Sequence, residues 1–580
     1  MCGIVGCNYK ANNFSKAIDL ITHRGPDNQS ILSVDDNLLG HTRLSIIDLN
    51  EEANQPMKFD NVVIIFNGEI YNYKELIKEH NLKVVTKSDT EVIIRLYQKY
   101  KYDFLNYLNG MFSFCIYDKN KQNFFCARDR FGKKPFFYYY KNKKFIFASE
   151  IKAILKLLDF TPDIDNDALI GFFRFSSPIY NNSIYKDIKK LPAGYYLIFD
   201  GSNLKINKYY DIKISDNNLD EKEALNKIEE LFFDSVRLRL NSDVEVATFL
   251  SGGVDSSLVS SIYSKLSNKK INTYSIGYDE YKNYCELDYA KIVSKHINSN
   301  HNEIVISQKD FIECFENLFD MIDEPFGDSA IIPTMILSKK INKDGIKVVL
   351  SGEGSDEIFL GYDNYFKMLE YFNNNFEKEK FNLTKDWEYK RRKIENEYIF
   401  YSTGETFTNG QLELFLKNFK KLNLPYHINT TPLKQMSYFD FKYWIENVLM
   451  TKIDRATMKY SIEARAPFLD YRLVELLFSI NDNLKTGNTN KYLLKKIALK
   501  YLPKEIVYRR KKGFSSPFIE WLFDEYKDKL LSDILEVNKK INYFNEDFVK
   551  FLYNEAKEQR FKQHFYNIYI FAKWYKRTYL

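Results

Sequence analysis

The chain has 580 residues, 45% of them hydrophobic and 28% charged, and a formal net charge of +6. That length exceeds what one core supports and predicts about two to four domains of ordinary globular composition. The charge is small for the length and Lys/Arg are interleaved with Asp/Glu, so a solvated surface is expected and a nucleic-acid footprint is not.

No apolar stretch approaches the ~18–20 residues that a membrane-spanning helix needs. The amino terminus lacks the basic flank and apolar run of a secretory signal. Six cysteines (Cys2, Cys7, Cys115, Cys126, Cys285 and Cys314) are scattered without a CxxC pair, a pattern that suits a reducing cytoplasm and offers no zinc site. The expected partners are small molecules, with no nucleic acid and no membrane; a homodimer is left open.

The chain opens MCGIVG. Removal of Met1, which a small following side chain permits, leaves a thiol and a free α-amine on Cys2. A thiol of pKa ~8.5 beside an amine of pKa ~7.7–8.0 is a nucleophile with its own base. The alternative is a small buried apolar side chain at the start of a strand, and these six residues do not choose between them.

Up to about residue 200, runs such as NVVIIFNGEIYN, GMFSFCIYD and KKFIFASE predict strands of a layered β-rich domain. The polar stretch 211–223, DIKISDNNLDEKE, reads as a linker. Leu225, Ile228, Phe232 and Val236 then recur at helical spacing as far as Asn241-Ser242-Asp243. Strand candidates VEVATFL, NTYSIG, NEIVI and GIKVVL alternate with helix-length segments, which predicts a parallel α/β sheet. Ligands in such sheets sit at the carboxyl ends of strands, so the residues after VEVATFL and GIKVVL are the candidates.

After VEVATFL comes SGGVDSS, Ser251 to Ser257. Two glycines, three serines and a following helix N-terminus make a phosphate cradle. It lacks the lysine of the ordinary P-loop, and Asp255 inside an anion site implies Mg²⁺ bridging to phosphate oxygens. After GIKVVL comes SGEGSDE, Ser351 to Glu357, with three acids within five residues. They would repel one another unless a cation or a reaction needs them: Asp356 suits magnesium and Glu353 suits proton transfer. Beyond about residue 365 the pattern is helical. The segment 373–420, with KEK and KRRK, reads as a solvated charged insertion without catalytic groups.

MCGIVG, HRGPD (His23 to Asp27), RLSIID (Arg43 to Asp48), NGEIYN (Asn67 to Asn72), KSDTEVI and ARDRFGKKP resemble the class II glutamine amidotransferase domain. SGGVDSS, DEPFGDSA (Asp323 to Ala330), SGEGSDEIFLGY and KIDRATMKYSIEARAPFLD (Lys452 to Asp470) resemble the synthetase domain of glutamine-hydrolysing asparagine synthetases. The match is collinear over nearly the whole chain, the charged insertion being the main part outside it.

The resemblance implies a multi-domain α/β protein. Residues 2–210 would form a layered αββα N-terminal-nucleophile domain, and 224–580 an ATP-pyrophosphatase-like parallel α/β domain with helical additions. Cys2 would attack the side-chain amide of glutamine, its own amine acting as base through a water. The Asn67 side chain and the Gly68 N–H would form the oxyanion hole. Arg43 would hold the glutamine carboxylate, Leu44, Ser45, Ile46 and Ile47 would also bind glutamine, and Glu69 and Asp89 would hold its amino end.

In the second half ATP would convert a carboxylate into an acyl-adenylate. Leu250, Ser251, Gly252, Gly253, Ser256, Ile276, Ser351 and Gly352 would contact ATP, Asp255 and Asp356 would handle Mg²⁺ and pyrophosphate, and Lys491 would reach the phosphates. Glu353 would take a proton as ammonia attacks the adenylate. Free ammonia is protonated in neutral water, so a sheltered path between the sites is expected, with the small residues of ATMKYSIEARAP, Ala456 among them, lining or buttressing it.

Two departures from the family pattern stand out. Glu245 and Ala247-Thr248 replace a customary proline and glycine in the strand before the first loop, and a long insertion separates Tyr362 from Met450. The reading is synthesis of asparagine from aspartate, glutamine and ATP. The first alternative keeps the machinery but amidates another carboxylate, such as a uronic acid of surface polysaccharide or a peptide-like acid. A non-catalytic descendant and a nucleic-acid-modifying ligase are further alternatives, opposed by the intact Cys2, Asn67, Glu353 and Asp356 and by the glutaminase half.

Overall fold

The computed structural model describes residues 2–278, 281, 284–510, 516–527 and 529–580. The first 208 residues build two six-stranded antiparallel sheets. In one sheet Gly3–Cys7 lies between Asn37–Arg43 and Lys144–Ala148. In the other, Val62–Ile70 pairs with Gly110–Asp118 along its whole length. Strand alternation explains why the sheets stack. Val63 and Ile65 join Ile4, Leu39 and Phe147 in the layer between the sheets, whereas Ile64 and Phe66 pack with Val92 and Leu96 of the helix Asp89–Tyr100. On the other outer face Val5 and Cys7 pack with Phe14, Ile18 and Ile154 of two helices. The result is the layered αββα arrangement.

The helix Glu221–Arg239 opens the second half, and a capping box between Asp220 and Glu223 starts it. The end of the stretch read as a linker is therefore the first turn of this helix. The rest is tied down, Asn217 N–H donating to Ser479 O and Lys434 pairing with Asp216.

The five strands that follow are parallel, in the order Asn300–Ile306, Asn272–Tyr278, Val246–Phe249, Val348–Leu350, Glu463–Arg465. Thr248 pairs with Leu350, which brings the two glycine-serine loops side by side. The chain runs to one edge of the sheet from Val246–Phe249 and returns on its other side, so the crevice between the loops is a topological switch point. Glu245 lies at the opposite end of that strand, hydrogen-bonded to Asn272, and Thr248 Oγ1 bonds Ser260 Oγ of the next helix. The departures at 245, 247 and 248 therefore alter packing and do not touch the crevice.

The halves share a buried polar interface. The ARDRFGKKP segment supplies Arg128, 3.1 Å from Glu446, and Lys133, whose Nζ donates to Leu469 O at 2.8 Å. Glu446 belongs to a π-helical run, Asp440–Leu449.

The segment 373–420 is less solvated than its charge implies. It holds two helices, Lys385–Ile394 and Asn409–Phe415, and Arg392 is fully buried. Its Nε donates to Glu388 at 2.9 Å, and its Nη1 and Nη2 to Glu405 at 2.9 and 2.7 Å. Arg174 of the first half also reaches Glu405, at 2.8 Å. Burial opposes the Glu405 charge, yet Arg392 and Arg174 hold its pKa at about 2. Removing one partner strands the others, so Glu405→Ala should destabilise this region by about 3–5 kcal/mol. Amide hydrogen exchange over 385–408 measures this, and unchanged protection would refute it.

Candidate active sites

The first site is a small pocket of about 30 Å³. Cys2, Arg43, Leu44, Ile46, Ile47, Gly68, Glu69 and Asp89 line it, along with Gln55, which the sequence did not single out. Cys2 immediately precedes the strand Gly3–Cys7 and is 7% exposed. Its backbone nitrogen, the atom that becomes the α-amine when Met1 is removed, donates to Asn67 Oδ1 at 3.2 Å. Burial pushes the thiol pKa up, and the amino terminus, the Leu44 amide and Arg43 pull it down.

Asn67 is not among the lining residues but is bonded to Cys2 through its Oδ1, and its Nδ2 is buried without a hydrogen-bond partner. A buried amide donor of this kind is rare unless something arrives to accept from it. A Cβ at Gly68 would lie 2.1 Å from Met111 O, so only glycine lets the two strands meet there. Ser45 is turned elsewhere: its N–H donates to Asp27 at 2.7 Å and it does not line the pocket.

Arg43 donates to Asn50 O and Asn54 Oδ1, each at 2.8 Å, and to Asp48 O. All three acceptors are neutral, so they orient the guanidinium without cancelling its charge. At the other end Glu69 and Asp89 share a buried neighbourhood with Glu463 and Arg465 of the second half. Burial, then Glu463 and Asp89, push Glu69 well above the usual carboxylate range, against the pull of Arg465. Burial also raises Asp89, to about 7, although the Ile70 N–H bonds it at 2.8 Å.

The second site is a cavity of about 420 Å³ at the switch point. Leu250, Ser251, Gly253, Asp255, Ser256, Ile276, Ser351, Gly352, Glu353, Asp356 and Lys491 all line it. Gly252 does not: its φ is +71°, and a Cβ there would lie 2.7 Å from Ala290 N. Its task is to turn the chain. Lys491 Nζ sits between Asp255 Oδ2 and Asp356 Oδ1, 2.6 Å from each. Burial works against this ammonium, but the two carboxylates raise its pKa and keep it charged.

Ser355 Oγ donates to Asp255 at 2.7 Å and locks the two loops together. Burial and Asp356 push the third acid, Glu357, up to about 8, which relieves the repulsion that the sequence implied. Glu353 lies 3.4 Å from Lys452, which also pairs with Asp328 at 3.5 Å. Asp328 of DEPFGDSA and Lys452 of KIDRATMKYSIEARAPFLD carry no local signal of this role and meet only in the fold. Among the described residues, none between 363 and 443 lines the cavity.

The stretch from Leu449 to Arg465 touches both sites. Leu449, Lys452 and Ile453 line the cavity. Asp454 holds Arg24 at 2.9 Å, and Arg24 Nε donates to Cys2 O at 3.1 Å. Ala456 is fully buried in a cluster with Ile331 and Met335.

Two family descriptions match the chain: glutamine amidotransferase domain over residues 1–210 and asparagine synthase over 227–576. It is 31% identical over 591 residues to "Asparagine synthetase (glutamine-hydrolyzing) 1" of Bacillus subtilis, covering 95% of this chain and 92% of that protein. It is 39% identical over 395 residues to "Putative asparagine synthetase (glutamine-hydrolyzing) 2" of Methanocaldococcus jannaschii, covering 62% and 76%. It is also 26% identical over 577 residues to "Amidase chyE" of Penicillium rubens, covering 87% and 84%. The chain belongs to the asparagine synthase family with a glutamine amidotransferase domain at its head, and is an ATP-dependent ligase that draws amide nitrogen from glutamine.

Proposed function

We propose that the protein is a glutamine-hydrolysing asparagine synthetase, converting ATP, L-aspartate, L-glutamine and water into AMP, diphosphate, L-asparagine and L-glutamate. One observation carries the reading: a buried N-terminal thiol pocket and a carboxylate-rich switch-point cavity lie in one chain, joined by one stretch that contacts both. Similarity over nearly the full length to a relative named for asparagine synthesis supports aspartate as acceptor. The relatives named amidase support a second reading, with another carboxylate in its place.

In the first site the Cys2 sulfur attacks the glutamine amide carbon. The oxyanion that forms accepts from Asn67 Nδ2, the unpartnered donor, and from the Gly68 N–H. The tetrahedral species collapses to a thioester, ammonia leaves with the thiol proton, and water releases glutamate. Arg43 receives the substrate carboxylate, and Glu69 and Asp89 its ammonium. In the second site a carboxylate oxygen of the acceptor attacks the α-phosphorus of ATP and diphosphate leaves. Ammonia then attacks the acyl carbon, Glu353 takes the proton and AMP departs.

Asp255 and Asp356 fit a magnesium ion, since both carboxylates already converge on one cationic atom, Lys491 Nζ. Bound there with ATP, the ion would neutralise phosphate charge. Lys491 would then serve the phosphates as a point charge. Six free cysteines suit a cytoplasmic setting, and among the described residues no helix is long and apolar enough to cross a membrane.

With glutamine carrying ¹⁵N in its side-chain amide, labelled asparagine should form only when ATP and aspartate are both present. Unlabelled product, or none, would sink the reading. The pocket also sets a pH dependence. Burial, then Glu463, lifts Asp89 to about 7, and the ionised form receives the glutamine ammonium. Acidification protonates it in the free enzyme, so the glutaminase KM should rise up to about tenfold per pH unit below ~7. A KM flat across that range would contradict the assignment, and Asp89→Asn should remove the part of the profile centred near 7.

A further inference from the structure

We infer that Glu463 and Arg465, which belong to the synthetase half, are positioning residues of the glutamine pocket in the other half. The inference rests on reading the Cys2 pocket as the glutamine site.

Both residues lie on the edge strand Glu463–Arg465 of the parallel sheet, and Arg465 is fully buried. Its Nη1 donates to Arg239 O at 2.8 Å and Asn241 O at 2.7 Å, and its Nε to Glu463 Oε1 at 2.6 Å. These bonds fix the guanidinium with Nη2 only 3.6 Å from Glu69 Oε1. The other Glu69 oxygen is buried and has no hydrogen-bond partner, a condition that an arriving ammonium would relieve.

Charge explains why the pair matters. Glu69, Asp89 and Glu463 bring three carboxyl groups to one buried region, where Arg465 and the amino terminus are the cations that act on both Glu69 and Glu463. Nearby Lys134 is paired with Asp454 at 3.4 Å. A substrate ammonium therefore moves the group toward neutrality. With Glu463 removed, Arg465 would turn its whole charge on Glu69 and compete with that ammonium. The residues act through Glu69, since neither lines the pocket itself.

The same strand reaches the second site. Leu350 pairs with Arg465 in register, and the Ser351 N–H, at the wall of the ATP cavity, donates to Arg465 O at 2.9 Å. One residue thus holds the glutamine pocket by its side chain and the ATP loop by its backbone. Occupancy of either site bears on the other, and linkage makes the effect reciprocal.

The test is the glutaminase reaction of the full-length protein. Glu463→Gln should raise KM for glutamine at least about fivefold while kcat at saturation stays within about twofold. Arg465→Lys should keep more affinity than Arg465→Gln. A merely structural role would lower thermal stability and leave KM alone. Variants that fold, by far-UV circular dichroism, and keep the wild-type KM would overturn the inference. Should every variant misfold, the unmodified enzyme decides: saturating Mg-ATP should shift its glutamine KM by at least about fivefold, and no shift overturns the coupling. If the unmodified protein releases no glutamate from glutamine, the reading of the pocket falls instead.

Discussion

Cys2→Ala should lower glutamine-dependent amidation by about four orders of magnitude or more, while amidation driven by added ammonium continues. On the proposed mechanism loss of the sulfur removes the one bond-forming atom of the first site, and none of the side chains around it replaces a thiol: Arg43 is held by carbonyls, and Glu69 and Asp89 are assigned to the substrate ammonium. The alanine also fits without disturbance, because Cys2 is nearly enclosed and only one heavy atom is deleted. The ammonium arm makes the result specific. The proposed site of adenylation is a cavity with its own residues, so synthesis from ammonium at saturation should stay within about twofold of the unmodified enzyme. Glutamine-driven product within about tenfold of normal would mean a different nucleophile.

The second large effect falls on Glu353. Glu353→Gln should depress amide formation by about 10²–10⁴, whether nitrogen comes from glutamine or from ammonium. Exchange of labelled diphosphate into ATP in the presence of the acceptor should persist. The reason is positional: Asp255, Asp356 and Lys491 form one ion-paired group, while Glu353 belongs to another, with Lys452 and Asp328. Proton acceptance and phosphate handling are therefore separable. If exchange and amide formation fall together, Glu353 serves adenylation and the assigned division is wrong. Retention of full synthesis would remove it from the chemistry.

The parts of these sites that the sequence discloses are those whose chemistry is local. SGGVDSS and SGEGSDE follow apolar strands at once, and the Thr248–Leu350 register then brings them together. Cys2 is singled out by its position in the chain, and the structure places it in a pocket wall. The αββα layers follow from alternation, with Val63 and Ile65 facing one way and Ile64 and Phe66 the other.

What stays hidden depends on partners far away in the chain. Arg392 within KRRK looks like a surface charge until Glu405 and Arg174 close around it. Arg465 reads as part of a motif, and only the fold reveals Glu69 beside it. Glycines and small polar residues gain a second role from the fold. Gly252 stands in the cradle motif, and only the fold reveals that its positive φ and the close approach of Ala290 also make it a turn. Ser45 sits among pocket residues, yet its amide belongs to Asp27. A motif states which residue types are present, whereas the direction of each side chain is set by packing.

The central claim is that one chain activates a carboxylate with ATP and amidates it with nitrogen from glutamine, aspartate being the acceptor. The most direct test is diphosphate release by purified, Met1-processed protein with Mg-ATP and glutamine, comparing aspartate with a panel of uronic acids and other amino acids. The account predicts release that depends on aspartate, with asparagine and glutamate formed in step. Release with another carboxylate and none with aspartate would contradict the acceptor assignment, and release with no acceptor in the panel would contradict the function proposed.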